Sequence, residues 1–179
     1  MTSDIETRRA RLRSDLEAAR QEFHDMVAST SVQSWAKPSD NPGWTNGQLL
    51  FHVLLGFILV HPLAGILVLF GHLPPIYSRI FAVILNFSTP LFNLINAVGP
   101  RAGARLLGRA GLIRKFDQAH RAILERLDRV RPTDWRLAMH YPTRWDPRLG
   151  RRCIWRTSSA IRLTTSGIIA ASCAPPRTT

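Results

Sequence analysis

From Asn41 to Ser78 the chain carries no Asp, Glu, Lys or Arg. Within that stretch, Leu49 to Phe70 is 22 consecutive uncharged residues, long enough as a helix to cross a bilayer. A second uncharged run, Ile80 to Pro100, would return the chain, and arginines flank the pair as a hairpin with both ends cytoplasmic requires. Two readings follow. In one, the chain is a small membrane protein with transmembrane helices near 49–71 and 76–98. In the other, the same helices form the core of a soluble, cytoplasmic bundle. His52, His61, Pro62, Asn86, Asn93 and Asn96 favour the soluble reading, because polar groups in lipid are costly without partners.

The flanking segments are helical in pattern. Ser3-Asp4-Ile5-Glu6 has capping-box spacing. Behind it Ile5, Leu12, Leu16, Ala19, Phe23, Met26 and Val27 recur at helical intervals among charges, which predicts a long amphipathic helix over about 4–33. Trp35 to Gly43, with Pro38 and Pro42, reads as a loop. Thr45-Asn46-Gly47-Gln48 is a second capping box that opens the apolar helix, and Pro62 is expected to kink or break it. Gly71 and Pro74-Pro75 end that region. Ile76 to Val98 reads as helix interrupted near Pro90, and Gly99-Pro100 as a break. Arg101 to Arg131 carries the stripe Leu112, Phe116, Ala119, Ile123, Leu127 and Val130. No strand pattern persists before residue 150. The expected class is all-α, antiparallel helices packed as a bundle over 1–147, followed by an irregular basic tail over 148–179.

Charge narrows the function classes. The 24 basic residues include two lysines, Lys37 and Lys115, and the formal net charge is +12. Seven arginines from Arg144 onward stand against one acid, Asp146, so half the excess lies in the last fifth of the chain. No ribonucleoprotein, zinc-finger or helix-turn-helix pattern accompanies them, so no specific nucleic-acid partner is expected; a basic interaction protein with salt-sensitive nucleic-acid binding is the weakest of the readings. Cys153 and Cys173 fall in the tail without a CxxC pair, which indicates neither a disulfide framework nor a zinc knuckle. The N-terminus is charged and lacks the apolar core of a secretory signal.

The segment Trp44-Thr45-Asn46-Gly47-Gln48-Leu49-Leu50-Phe51-His52 resembles the start of the second helix in DinB-like proteins, the DinB/YfiT-like superfamily. The first helix, the 35–43 loop and Met139-His140-Tyr141-Pro142-Thr143-Arg144-Trp145-Asp146-Pro147 resemble one actinobacterial-type branch, so the likeness spans about 5–147. It implies a four-helix bundle of up-down-down-up order. It also implies a divalent metal, zinc or nickel, held by three histidines: one from the second helix and an H-x-x-x-H pair on the last. Residues at i and i+4 share a helix face, so such a pair offers two imidazoles together, and three ligands leave a position open for water, thiol or substrate. Relatives include metal-dependent thiol transferases, isomerases and hydrolases. By that match His52 is the carried-over metal ligand, on a helix face with Leu49, Gly56 and Leu59 and expected to point inward. The alternative is a core histidine with one hydrogen bond. His61 and His72 are expected at helix ends or in loops, and His24 and His120 at the surface or rim.

After Pro147 the family pattern stops, and residues 148–179 contain no histidine. The genetic code offers a reason. Joining the third base of each codon to the first two of the next, from Arg152 on, permits Met-Tyr-Leu-Ala-Asp-Val-Phe-Arg-Tyr-Pro-Thr-His-His-Phe-x-x-His-Arg-Arg-Gln-Leu. Its second and third histidines, across Thr164/Thr165 and Ile168/Ile169, stand four apart. The expectation is therefore a tail read out of frame from about residue 148, a last helix that is missing or altered, and no stably bound metal. Substrate, thiol cofactor and catalytic residues are not legible. Loss of one wall of the core predicts exposed apolar helices, poor solubility, and association with membranes or other chains, a homodimer among them.

Overall fold

The computed structural model describes residues 2–140, residue 144 and the strand 152–154. The protein is all-α with one small ribbon. Its elements are α1 (Thr2–Ser29), α2 (Val32–Trp35), α3 (Asn46–Gly71), α4 (Pro75–Phe87) and α5 (Thr89–Arg129), then a 3-10 turn over Pro132–Arg136 and strands β1 (Ala138–His140) and β2 (Arg152–Ile154).

The second capping box forms as the sequence predicts. The Thr45 side chain accepts from the Gln48 amide, and the Gln48 side chain accepts from the Thr45 amide. The first does not: the chain is already helical at Thr2, so Ser3 lies inside α1 and its carbonyl accepts from the Thr7 hydroxyl at 2.8 Å. α1 ends at Ser29, short of the expected 33, and Ser31 caps a separate turn, α2.

Two predicted breaks are also corrected. Pro62, expected to kink or break its helix, does not break it, since α3 continues to Gly71, and Pro100 lies inside α5. The interruption falls instead at Gly108, with φ 58° and ψ −175°, a backbone region essentially open to glycine alone. Nothing marks this residue in the hydrophobic pattern, because the apolar stripes continue on both sides of it. The break between α4 and α5 at Ser88 does match the interruption expected near Pro90.

Contacts give the directions. Asp117 and Val130 meet Arg20 and Arg9 of α1, so the limb 109–129 runs antiparallel to α1. Phe57 stacks on Phe116 and Gly65 faces Arg126, so α3 runs parallel to that limb. Phe51 lies against Gly103 and Leu55 against Gly99, so the limb 89–107 runs antiparallel to α3. α3 and 109–129 thus point the same way, and α4 with 89–107 returns the chain between them.

The core lies between α1, the first half of α3, and 109–130. Phe116 is sandwiched between Phe23 at 4.0 Å and Phe57 at 4.3 Å, all three fully buried. Leu12, Leu16, Leu54, Leu112 and Leu127 close around them. The predicted stripe of 109–130 is this inner face. Against the expectation of no strand before residue 150, Ala138–His140 pairs antiparallel with Arg152–Ile154. Three residues are too few for a period-2 pattern to be read. The ribbon's second strand, Arg152–Ile154, is the only part of the expected irregular tail within the described residues.

Candidate functional site

His52 lies in the second turn of α3, set by the Thr45 cap. Its ring packs on Trp44 with centroids 4.5 Å apart and planes at 56°. Nδ1 is sealed from solvent and has no hydrogen-bond partner. Burial of the ring pushes its pKa below the ordinary value near 6.5, because the charged form loses hydration without gaining a counter-charge. The face it shares with Leu49, Gly56 and Leu59 is half-buried and Leu59 is exposed, whereas Leu50, Val53, Leu54 and Phe57 fill the core. His52 therefore stands at the rim of the core rather than pointing into its centre.

The described residues do not form a three-ligand metal site. Among the described residues no group of three or more His, Cys, Asp or Glu side chains is placed to hold an ion. His61 is in the body of α3, not at its end as expected, and nine residues of helix put it about 13 Å along the axis from His52. The positions 148–179, where the resemblance expects the other two ligands, lie outside the described residues apart from 152–154.

Three polar clusters escaped the sequence reading. The first joins α1 and α5. Asp117 accepts from Arg20 Nε at 2.7 Å and lies 2.8 Å from His24 Nε2. Burial would raise this carboxyl, but the bonds from Arg20 and His24 outweigh it and hold the group below the usual carboxylate range. Beside it His120, expected at the surface or rim, is only 5% exposed. Burial is the main reason its pKa falls, and its Nε2 is 3.6 Å from Glu17 Oε1, beyond hydrogen-bond reach. Glu17, Arg20, Asp117, His120, Arg121 and Leu124 line a cavity of about 270 Å³. A sequence signal existed: His120 falls in register with Phe116, Ile123 and Leu127 on the buried stripe.

The second cluster ties the end of α3 to the turn after α5. Asp134 is buried and accepts from the Arg131 amide at 3.3 Å and from Arg131 Nε at 3.2 Å. His72, the C-cap of α3 and so at a helix end as expected, has Nε2 3.2 Å from both Asp134 Oδ1 and Arg131 Nη2. A guanidinium only donates and a carboxylate only accepts, so this nitrogen serves one partner at a time. Burial again opposes ionisation of Asp134, and the Arg131 bonds reverse it, leaving the carboxyl below its ordinary range.

The third is Ser78, Arg79 and His140. Ser78 is buried, its hydroxyl donates to Pro75 O at 3.0 Å and lies 2.9 Å from His140 Nδ1. Arg79 Nε donates to His140 Nε2 at 3.3 Å. With Nε2 accepting, a neutral ring carries its proton on Nδ1 and donates it to Ser78. That is the reverse of a nucleophile–base pair, in which the imidazole must accept from the hydroxyl. The cluster fastens α4 to β1.

No family model, curated protein or solved structure matches this chain.

Proposed function

We propose that this chain is a DinB-like helical-bundle protein with a degenerate metal site, and that as written it lacks the metal-dependent transferase or hydrolase activity that the resemblance implies. The observation that carries the reading is His52: a capped, half-buried imidazole in the second turn of the second long helix, with a sealed and unpartnered ring nitrogen and no convergent ligands among the described residues. The shared direction of α3 and 109–129 supports it, since an up-down-down order needs that pair parallel. One imidazole cannot hold zinc or nickel in a catalytic geometry. On this reading the other two ligands belong to another frame of the same gene, shifted from about residue 148.

Two measurements test it. Purified chain dialysed after growth with zinc and nickel should retain far less than one ion per chain. One tightly held divalent ion per chain, lost on His52→Ala, would overturn the degenerate site. The coding DNA tests the frame: codons 163–165 and 168–169 that cannot spell histidine in the shifted frame end that part of the reading.

A second reading is favoured by one observation. α3 is long and apolar enough to cross a membrane, and only 22% of its most apolar stretch is buried. The pair α4 and α5, bent by 57°, would then be a broken second span. Resistance of the protein to alkaline extraction from cell membranes separates this reading from the first.

A further inference from the structure

α4 is amphipathic in an inverted sense. Its inward face holds the buried Ser78 and Ala82 with the half-buried Phe81, stacked on Phe70, and Leu85, while Ile76, Ile80, Val83, Ile84 and Phe87 face outward, Phe87 at 80% exposure. A helix that turns its large apolar side chains to water gains nothing from the hydrophobic effect, so this face is made for an apolar neighbour. The next limb, bent by 57° from α4, carries a second exposed stripe. Leu91, Leu94 and Val98 are all exposed and stand at helical three- and four-residue spacing. Arg101 and Arg105 follow on the same stripe, both exposed.

The charge on this half of the chain has one sign. Between Asp40 and Asp117 there is no acid, whereas Arg79, Arg101, Arg105, Arg109, Arg114 and Lys115 fall in that interval. An apolar face continued by arginines alone has the composition of a surface that lies in an anionic bilayer: side chains enter the acyl boundary while guanidinium groups reach back to phosphates. A second copy of the chain fits less well. A two-fold interface sets the same patch against itself, and this patch would bring arginines together with no acid between them. A transmembrane course fits less well too. Leu50, Val53, Leu54 and Phe57 hold the first half of α3 in the core with α1 and 109–130, and a span over 49–71 would remove them from it.

We propose that α4 and residues 89–106 form an in-plane docking face for anionic phospholipid bilayers. The proposal is independent of the DinB-like reading and exclusive of the spanning one. The test is co-flotation of the full chain with vesicles of phosphatidylcholine alone or with one third phosphatidylglycerol. The expected result is binding to the mixed vesicles roughly tenfold or more above neutral ones, falling with added salt and released by alkali. Ile84→Asp with Phe87→Asp, both at exposed positions, should abolish binding without altering the circular dichroism spectrum. Arg101→Gln with Arg105→Gln should remove the preference for the anionic lipid while leaving weak binding to both. The proposal fails if neutral and anionic vesicles bind alike, if alkali does not release the protein, or if neither variant pair changes binding. It fails equally if the chain is a stable dimer whose dissociation by the aspartate pair leaves lipid binding unchanged.

Discussion

Two parts of this molecule each carry many large apolar residues and put them to opposite use. In α1 and 109–130 the apolar positions recur every three or four residues between charges, and they are buried: Leu16, Phe23, Leu112 and Phe116 are at most 2% exposed. In α4 and 89–106 the apolar residues occur on nearly every side, and most of the large ones face out, Phe87 and Leu106 at 80% and 83%. The difference lies in the polar residues. A charge every second or third position leaves a helix one way to sit, and that selects one face for burial. A run without charges leaves the choice to its neighbours.

The sharpest way to break the comparison is to delete the same ring from each region. Phe116→Ala removes a ring stacked on two others and should cost about 3–5 kcal/mol in denaturant unfolding. Phe87→Ala should cost no more than about 0.5 kcal/mol. A comparable loss from Phe87→Ala would mean the limb is packed in solution. Asp134→Ala comes next, at roughly 2 kcal/mol, because a buried acceptor of several charged bonds is removed. Gly108→Ala should cost about 1–3 kcal/mol by forcing a residue with a Cβ into φ 58°, and should loosen the limb from the core rather than unfold the core.

Acid sharpens the comparison, since the shifted groups belong to the core and its edges. His52 and His120 have folded pKa values below their ordinary 6.5, so their contribution is complete above that pH and is lost as pH falls through the lowered values. Asp117 and Asp134 sit below their ordinary 3.8, so theirs is complete above about pH 4 and is lost in a second, more acid step. Denaturant midpoints against pH should fall in these two stages. His120→Leu should shrink the first and spare the second; an unchanged first stage in a His52→Leu, His120→Leu double variant would assign it to other groups. His52→Leu alone should be the smallest effect, within about 1 kcal/mol of neutral at pH 8, because an unpartnered nitrogen is exchanged for an apolar group.

How much of this was legible follows the same division. Where charge and apolarity alternate, the sequence predicted the helix and its inner face together, down to Phe116, Ile123 and Leu127. The Thr45 cap was legible because its chemistry is local. The turn at Gly108 was not, since glycine and proline both punctuate a helix and Pro62 and Pro100, the more conspicuous signals, are accommodated within helices. The inverted face of α4 was not legible either: period locates the stripes of a helix, and only the neighbours decide which one is covered. Of the candidate site, the capped helix that carries His52 was readable. The buried His120 and the Asp117 and Asp134 clusters join residues about 60 to 100 apart in sequence, and no local pattern announces such pairs.

Amide hydrogen exchange of the purified chain in buffer tests the contrast most directly. Amides over 112–127 should exchange through global unfolding, and those over 76–98 orders of magnitude faster through local opening. Anionic vesicles should then slow the second set and leave the first unchanged. Equal protection of the two segments in buffer, or no change over 76–98 on adding vesicles, would contradict the account.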